Sequence, residues 1–334
     1  MNDISQKIPV TVITGDLGAG KTSLLNHLLV NNKGKKLAVI VNEFGEIGID
    51  SDLVLRSDEE ILEMNNGCIC CNIRGDLIRI VENILINFGQ TEQIIVETTG
   101  LADPAPIIQS FWIEETLIKK TKLDGLITVV DSFHFNKHKD CPHVRKQISF
   151  ADVILLNKTD LINIEEQKNI EEYLNILNPL AKFIKTKFSS PNEILFNIGG
   201  FDLSNALKID PLFLISNNHK HPKDINAICI KNNQIINGDL FNKWIYKFAQ
   251  FNGENLYRYK GIINLDNEPR RFVFQGVHMT LDGRPGKPWE EGEERINQVV
   301  FIGRNLDDIE IKSGFNSCTI SVSYTHLRAH ETPR

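Results

Sequence analysis

The stretch Gly15-Asp16-Leu17-Gly18-Ala19-Gly20-Lys21-Thr22 constrains the fold of this chain more than any other, because it fits the phosphate-loop pattern G-x-x-x-x-G-K-[ST]. Each position has a chemical reason. Glycines let successive backbone N–H groups curl around phosphate oxygens, the lysine meets the outer phosphates, and the hydroxyl binds the accompanying Mg²⁺. Val10-Thr11-Val12-Ile13-Thr14 reads as a short buried strand entering the loop. Leu24, Leu25, Leu28 and Leu29 form one apolar stripe on a helix leaving it. The expected fold class is therefore α/β, a doubly wound and mostly parallel sheet. Its nucleotide-binding residues would be Gly15, Asp16, Leu17, Gly18, Ala19, Gly20, Lys21, Thr22 and Ser23. Lys21 would stabilise charge on the outer phosphates, and Thr22 would ligate Mg²⁺.

Composition narrows the partners. A chain of 334 residues allows about two domains and a sizeable core. The formal net charge of -6 and the lack of a basic stripe argue against a nucleic-acid partner, since phosphate recognition by bulk electrostatics needs one. There is no run of 18 apolar residues, and Met1-Asn2-Asp3-Ile4-Ser5-Gln6-Lys7 lacks the apolar core of a secretory signal. A cytoplasmic protein without a membrane partner is expected. Of six cysteines, Cys68, Cys70 and Cys71 crowd into four positions. In a cytosolic chain, where thiols stay reduced, this favours metal or redox chemistry over a disulfide framework.

Further along, Lys36 to Asn42 reads as a second buried strand opening onto Glu43-Phe44-Gly45-Glu46-Ile47-Gly48-Ile49-Asp50. Ligands of an open α/β sheet sit beyond the carboxyl ends of its strands, so Glu43 and Glu46 are candidates for metal work, against the alternative of solvated loop carboxylates. Asn66-Gly67-Cys68-Ile69-Cys70-Cys71-Asn72 follows, ahead of a helix from Gly75 to Ile86. Thiolates suit Zn²⁺ or Cu⁺, but adjacent cysteines do not easily ligate one ion together, so the site is open or completed by a carboxylate. Small buried cysteines packing as hydrophobes are the competing reading. Gln93-Ile94-Ile95-Val96-Glu97-Thr98-Thr99-Gly100 is a third strand ending in an acid and a glycine. Glu97 can hold the Mg²⁺ shell or a water there, and the Gly100 N–H can touch the terminal phosphate.

Asp124 to Asp131 gives a fourth strand, and Asp152 to Leu156 a fifth that runs into Asn157-Lys158-Thr159-Asp160. The pattern N-K-x-D arises by chance in about 5 % of chains this long. Its position at a strand end downstream of a phosphate loop is what makes it a guanine-reading element. A carboxylate at Asp160 accepts from guanine N1–H and the exocyclic amine, a donor pair that adenine lacks, while Lys158 lies along the base plane. Ala181 to Thr186 closes the sheet as a sixth strand. The histidines of His134 to His143, with His219 and His221, are metal-capable in type but read as exposed loop residues that bind nothing.

Ser216 to Asp224 is polar, carries a proline and reads as a linker. Beyond it, Ala227 to Ile230 suggests a strand. Leu240, Phe241, Trp244, Ile245, Phe248 and Phe251 make a helical apolar stripe behind Asp239 as N-cap, with the stripe expected to be core. Gly261 to Asp266 and Arg271 to Val277 form a hairpin across Asn267-Glu268-Pro269. Val299 to Gly303 adds a strand and Leu306 to Phe315 a helix, while His278 reads as a satisfied core histidine. Residues 322–334 resemble the translation of a sequencing adapter and are set aside as a non-native tail, so His326 and His330 are not expected to be ligands.

The combination of Gly15 to Thr22, Asn42-Glu43-Phe44-Gly45-Glu46, Asn66 to Cys71, Glu97-Thr98-Thr99-Gly100-Leu101-Ala102-Asp103-Pro104 and Asn157 to Asp160 resembles the CobW-like GTPases, YjiA-type members above all. The resemblance continues through Tyr257-Arg258-Tyr259-Lys260-Gly261, Arg270 to His278 and Val300-Phe301-Ile302-Gly303, covering nearly the whole chain. It implies a Ras-like P-loop GTPase domain over residues 1–215 carrying a metal site, and a small α+β CobW-type C-terminal domain over residues 223–318. It also implies relationship to the nickel-insertion GTPases of urease and hydrogenase maturation, and delivery of metal to a client protein. Zn²⁺ is the first expectation and Co²⁺ the second, alongside GTP/GDP and Mg²⁺; a homodimer is compatible. The implied metal residues are Glu46, Cys68, Cys70 and Cys71. Some relatives carry a metal-binding acid before the Asn-Glu-Phe-Gly segment, and this chain has Val41 there.

The leading reading is a low-turnover GTPase that times metal transfer, with Lys21, Thr22, Glu97 and Gly100 at the reacting phosphate. No catalytic glutamine or arginine finger is identifiable. One rival is a metal buffer whose nucleotide is structural or regulatory, separated by measurable steady GTP turnover. A small-molecule kinase is another, separated by phosphate release without an acceptor.

Overall fold

The computed structural model describes residues 7–32, 34–42, 60–64, 73–87, 90–191, 195–200 and 225–320, with backbone alone at 42, 60–64 and 73–76. Glu43, Glu46, Cys68, Cys70, Cys71, His219, His221, the linker stretch Ser216 to Asp224 and the tail 322–334 lie outside the described residues.

The buried run Ile8–Gly15 (β1) is the central strand of a parallel sheet. Its companions are Leu37–Asn42 (β2), Glu60–Met64 (β3), Gln93–Glu97 (β4), Thr121–Asp131 (β5), Val153–Asn157 (β6) and Lys182–Lys185 (β7). Among the described residues the order is β3-β2-β4-β1-β5-β6-β7, every pair parallel. Near-continuous apolar strands such as Val153-Ile154-Leu155-Leu156 require cover on both faces. On one face lies Lys21–Asn31 (α1), whose Leu24, Leu25, Leu28 and Leu29 pack against Ile13, Val39, Val41 and Ile95. Each fully buried leucine contributes about 1.5–3 kcal/mol, so this stripe fixes how α1 faces and where the loop before it sits. On the other face are Ile73–Asn87 (α2), Ala105–Ile113 (α3), Glu115–Lys120 (α4), Phe135–His138 (α5), Pro142–Phe150 (α6) and Ile164–Leu177 (α7).

Strand β3 is a seventh strand where six were expected. It pairs through its backbone with β2, Ala38 opposite Glu60 and Asn42 opposite Met64. A five-residue edge strand with glutamates among its apolar residues has no buried run to announce it.

A second, antiparallel sheet follows from Ile225–Asn232 (β8), Leu256–Ile263 (β9), Arg270–Val277 (β10), Thr280–Pro288 (β11) and Asn297–Arg304 (β12), in the order β11-β10-β9-β12-β8. One face carries Gly238–Asn252 (α8) and Asp308–Asn316 (α9), and Phe241, Phe274, Phe301 and Phe315 meet in a core there. The expected stripe on α8 is core at Phe241, Ile245 and Phe248, but Leu240 and Phe251 are exposed at its margins. The N-cap is Asn237, whose side chain accepts from Leu240 N–H at 2.9 Å; Asp239 lies in the first turn instead. Strand β11 was not legible because it contains Gly283, Pro285, Gly286 and Pro288, residues tolerated at a sheet edge and not in a central strand.

The opposite face of this sheet packs on the first domain. Tyr257, Val277, Val300 and Ile302 join one apolar cluster with Ile108, Ile148 and Phe150. His278, at φ 52°, is buried against Phe150 and Tyr257, and its Nδ1 lacks a hydrogen-bond partner among the described residues, so it is core but only partly satisfied. Burial pushes its pKa below the ordinary imidazole range.

Candidate functional site

Because the strands of the first sheet run the same way, their carboxyl ends share one rim, the place where open α/β sheets receive ligands. There β1 delivers the phosphate loop, β4 delivers Glu97, β5 ends in Asp131 and β6 leads into Asn157 to Asp160.

Gly20, at φ 107°, precedes the first turn of α1. A Cβ there would stand 2.5 Å from Ser189 Oγ and 2.6 Å from Asn157 Nδ2, so both the turn and the close packing require glycine. The first turn of α1 carries no acid, which leaves its positive end open to an anion. Lys21 is buried, and its Nζ donates to the carbonyls of Gly15 (2.9 Å) and Asp16 (3.1 Å), which holds the ammonium within the loop. Thr22 Oγ1 donates to Glu97 Oε1 at 3.0 Å. Glu97 itself is 5 % exposed, so hydroxyl and carboxylate meet in a half-dry corner beside Lys21. Ser23 is exposed in the same turn, as is Leu17 at the loop's tip, while Ala19 is buried. A Cβ on Gly100 would fall 2.7 Å from the Leu17 backbone nitrogen, so the loop after β4 rests directly on the phosphate loop. Gln147 of α6 steadies that loop, donating to the carbonyls of Gly100 (3.0 Å) and Ala102 (3.1 Å).

The second motif is tied to the first. Asn157 Nδ2 donates to Ala19 O at 2.9 Å, and its Oδ1 accepts from Ser189 N–H at 2.8 Å. Lys158, at φ 60°, donates to Gly18 O (2.9 Å) and pairs with Asp131 Oδ2 (2.6 Å). These two side chains brace the phosphate loop, whereas Asp160, in the single turn Thr159–Leu161, is exposed at the rim.

Several residues here carry no motif of their own. Asp16 accepts from His138 Nδ1 and from His143 Nε2 (3.1 Å), and Asp131 accepts from His134 Nδ1 (2.9 Å) as well as from Lys158. His134, His138 and His143, expected to idle in a loop, are thus engaged with the nucleotide rim. Burial pushes the Asp16 carboxyl up, but the hydrogen bonds from His138, the Leu17 N–H and His143 outweigh it and hold the pKa below the usual range. Burial is likewise outweighed at Asp131 by Lys158 and His134. The i, i+4 spacing of His134 and His138 and the acid closing β5 were the available signals. Among the described residues, no group of three or more His, Cys, Asp or Glu is arranged to hold a metal ion. Val41, standing where some relatives place an acid, is buried under α1 and suits that core.

Comparison with known proteins agrees with this geometry. Residues 9–185 match the family described as CobW/HypB/UreG, nucleotide-binding domain, and residues 225–319 match the cobalamin synthesis protein cobW C-terminal domain. The zinc chaperone YjiA of Escherichia coli is 35 % identical over 92 % of this chain and 98 % of its own length. The zinc-regulated GTPase metalloprotein activator 1 of Schizosaccharomyces pombe is 33 % identical over 90 % of this chain and 84 % of its own. The crystal structure of Zn(II)-bound YjiA GTPase from E. coli superposes with a TM-score of 0.76 at 31 % identity, covering 94 % of this chain and 99 % of that one. A phosphate loop braced by an N-K-x-D segment, matched along nearly the full length of both domains, makes this chain a member of the CobW/HypB/UreG family of GTPases.

Proposed function

We propose that this chain is a GTP-hydrolysing metal chaperone whose nucleotide state times the handover of zinc to a client protein. The carrying observation is the contact of Thr22 Oγ1 with Glu97 Oε1 at 3.0 Å beside the buried Lys21. Hydroxyl and carboxylate oxygens are the donors Mg²⁺ prefers, so Thr22 would hold the ion directly and Glu97 through its water shell. The ion would supply neutralising charge at the outer phosphates.

Lys21 stabilises the charge that moves onto the β- and γ-phosphate oxygens as water displaces GDP from the terminal phosphoryl group. Glu97 orders the attacking water or the metal's shell, and the Gly100 N–H meets the terminal phosphate. Gly15, Asp16, Leu17, Gly18, Ala19, Gly20 and Ser23 form the cradle. Asp160 accepts from guanine N1–H and the exocyclic amine, with the Lys158 stem along the base plane and Asn157 holding the segment to the loop.

The cargo site is assigned to Glu46, Cys68, Cys70 and Cys71, on chemistry and chain position. Soft thiolates favour zinc, with cobalt as second choice, and similarity to chaperones named for zinc supports the first of these. All four residues fall between β2 and β4, in the stretch that rearranges in GTPases when the terminal phosphate leaves. The reading includes a GTPase domain over 1–215, a C-terminal domain over 223–318 and a cytoplasmic location, and a homodimer is compatible with it. No described helix is long and apolar enough to cross a membrane.

The test is steady-state phosphate release from GTP, without an acceptor, alongside titration of Zn²⁺, Co²⁺ and Ni²⁺. Turnover that disappears in Lys21→Ala and Glu97→Gln while zinc still binds is expected. Zinc binding with no GTP turnover at all would instead indicate a metal buffer.

A further inference from the structure

The segment after β7 holds a conformation that its residues disfavour. Phe188 and Ser189 both sit at φ 51°, a left-handed backbone that side chains larger than glycine avoid. Phe188 is also 79 % exposed, so no core contact accounts for its placement. The segment is pinned at both ends. Thr186 O accepts from Thr159 Oγ1 at 3.0 Å, and Ser189 N–H donates to Asn157 Oδ1 at 2.8 Å. Ser189 is fully buried, against Gly20 of the phosphate loop. Two anchors on Thr159 and Asn157 therefore force the bend and hold an aromatic ring in water beside the segment that ends in Asp160.

From this we infer that Phe188 is a base-stacking residue, its ring lying against the face of the purine whose edge Asp160 reads. The inference rests on the guanine reading of Asn157 to Asp160. Stacking suits the chemistry, since a base offers an apolar π-face that an aromatic side chain can cover without hydrogen bonds. It also limits the effect to binding. GTP and GDP share one base, so the ring favours both equally and contributes nothing specific to the transition state. Phe188 is accordingly a specificity and affinity residue, distinct from the groups at the phosphates.

The experiment uses the full chain with Phe188→Gly, Phe188→Ala and Phe188→Trp, after checking by thermal melting that each folds. Glycine accepts the left-handed backbone, so it removes the ring without adding strain. Calorimetric titration with GDP and a non-hydrolysable GTP analogue should show both nucleotides weakened by the same factor in the Gly and Ala variants. Stacking of about 1–3 kcal/mol per base, at about 1.4 kcal/mol per tenfold, corresponds to roughly 5- to 140-fold. Hydrolysis at saturating GTP should be unchanged. Phe188→Trp should bind like wild type, and its added fluorescence should be quenched by GDP. Wild-type affinity in Phe188→Gly, unequal losses for the two nucleotides, or unquenched fluorescence would each overturn the assignment. A GTP-against-ATP competition on wild type keeps the two readings apart. Equal binding of ATP would defeat the guanine reading, while the stacking test would still be scored on either purine.

Discussion

Strand β6 has an acid near each end, and the two have opposite surroundings. Asp152, immediately before the strand, is buried and saturated from within: Arg258 pairs with its Oδ1, Lys260 Nζ stands at 3.1 Å, and Leu126 N–H donates at 2.9 Å. Both cations come from β9, so this carboxylate locks the second domain onto the first. Asp160, beyond the other end of the strand, is exposed on the rim where the phosphate loop, Glu97 and Asp131 assemble. An acid whose hydrogen-bonding capacity is filled inside the protein specifies architecture. One held by a braced segment with its carboxylate facing water is available to a ligand.

The largest effect should come from breaking the filled end. Asp152→Ala would leave Arg258 and Lys260 buried without their counter-charge, costing about 3–5 kcal/mol of stability in a denaturant titration. The folded fraction should keep its nucleotide preference. A loss within the range of ordinary surface substitutions would remove the distinction between the two ends.

The open end should show the reverse pattern. Asp160→Asn should leave stability near wild type but lose about 1.5–3 kcal/mol of GTP affinity, because a charged hydrogen bond to the base is gone. Xanthine nucleotides should bind better, their N1–H and O2 edge being suited to an amide. Competition among GTP, XTP and ATP measures this, and wild-type binding of ATP on a par with GTP would refute the role of Asp160.

A subtler effect belongs to pH. Burial and the neighbouring Arg258 outweigh Asp152 and pull the Lys260 pKa from 10.5 down to about 8, while burial of Asp152 is outweighed by Arg258 and Lys260, keeping its pKa low. Arg258 already satisfies Asp152, which is why the second cation is the one that gives way. Between pH 8 and 10.5 the unfolded chain binds more protons at Lys260 than the folded chain, so this residue's contribution to stability rises with pH across that window. Between pH 8 and 10.5 the denaturant midpoint of wild type should therefore rise relative to that of Lys260→Met, and parallel curves or a relative fall would contradict the role given to Lys260.

The same contrast explains what was legible in the sequence. The phosphate loop, Glu97 and Asn157 to Asp160 could be read because each is a short segment whose residue types and spacing follow from the ligand's own chemistry. Asp152 could not, since its cationic partners lie more than 100 positions away, and neither could Asp16 with His138 and His143 or Asp131 with Lys158. Long-range polar pairs leave no local pattern. Edge strands failed for a different reason: β3 is five residues long and carries two glutamates, while β11 is largely exposed and interrupted by glycine and proline, so neither shows an apolar run. At α8 the signal was present but degenerate, because Asn237 and Asp239 both cap helices well and only tertiary placement decided between them.

The central claim is that nucleotide state sets metal affinity, and zinc affinity measured with a competing chelator in the GTP-analogue and GDP complexes tests it most directly. A coupling of about 1–3 kcal/mol, roughly 5- to 150-fold, is expected, with zinc shifting the GTP-to-GDP preference by the same factor. Cys70→Ser should abolish most of the zinc affinity while GTP binding stays near wild type. Equal zinc affinity in the two nucleotide complexes would make the thiols a passive site and contradict the timed handover.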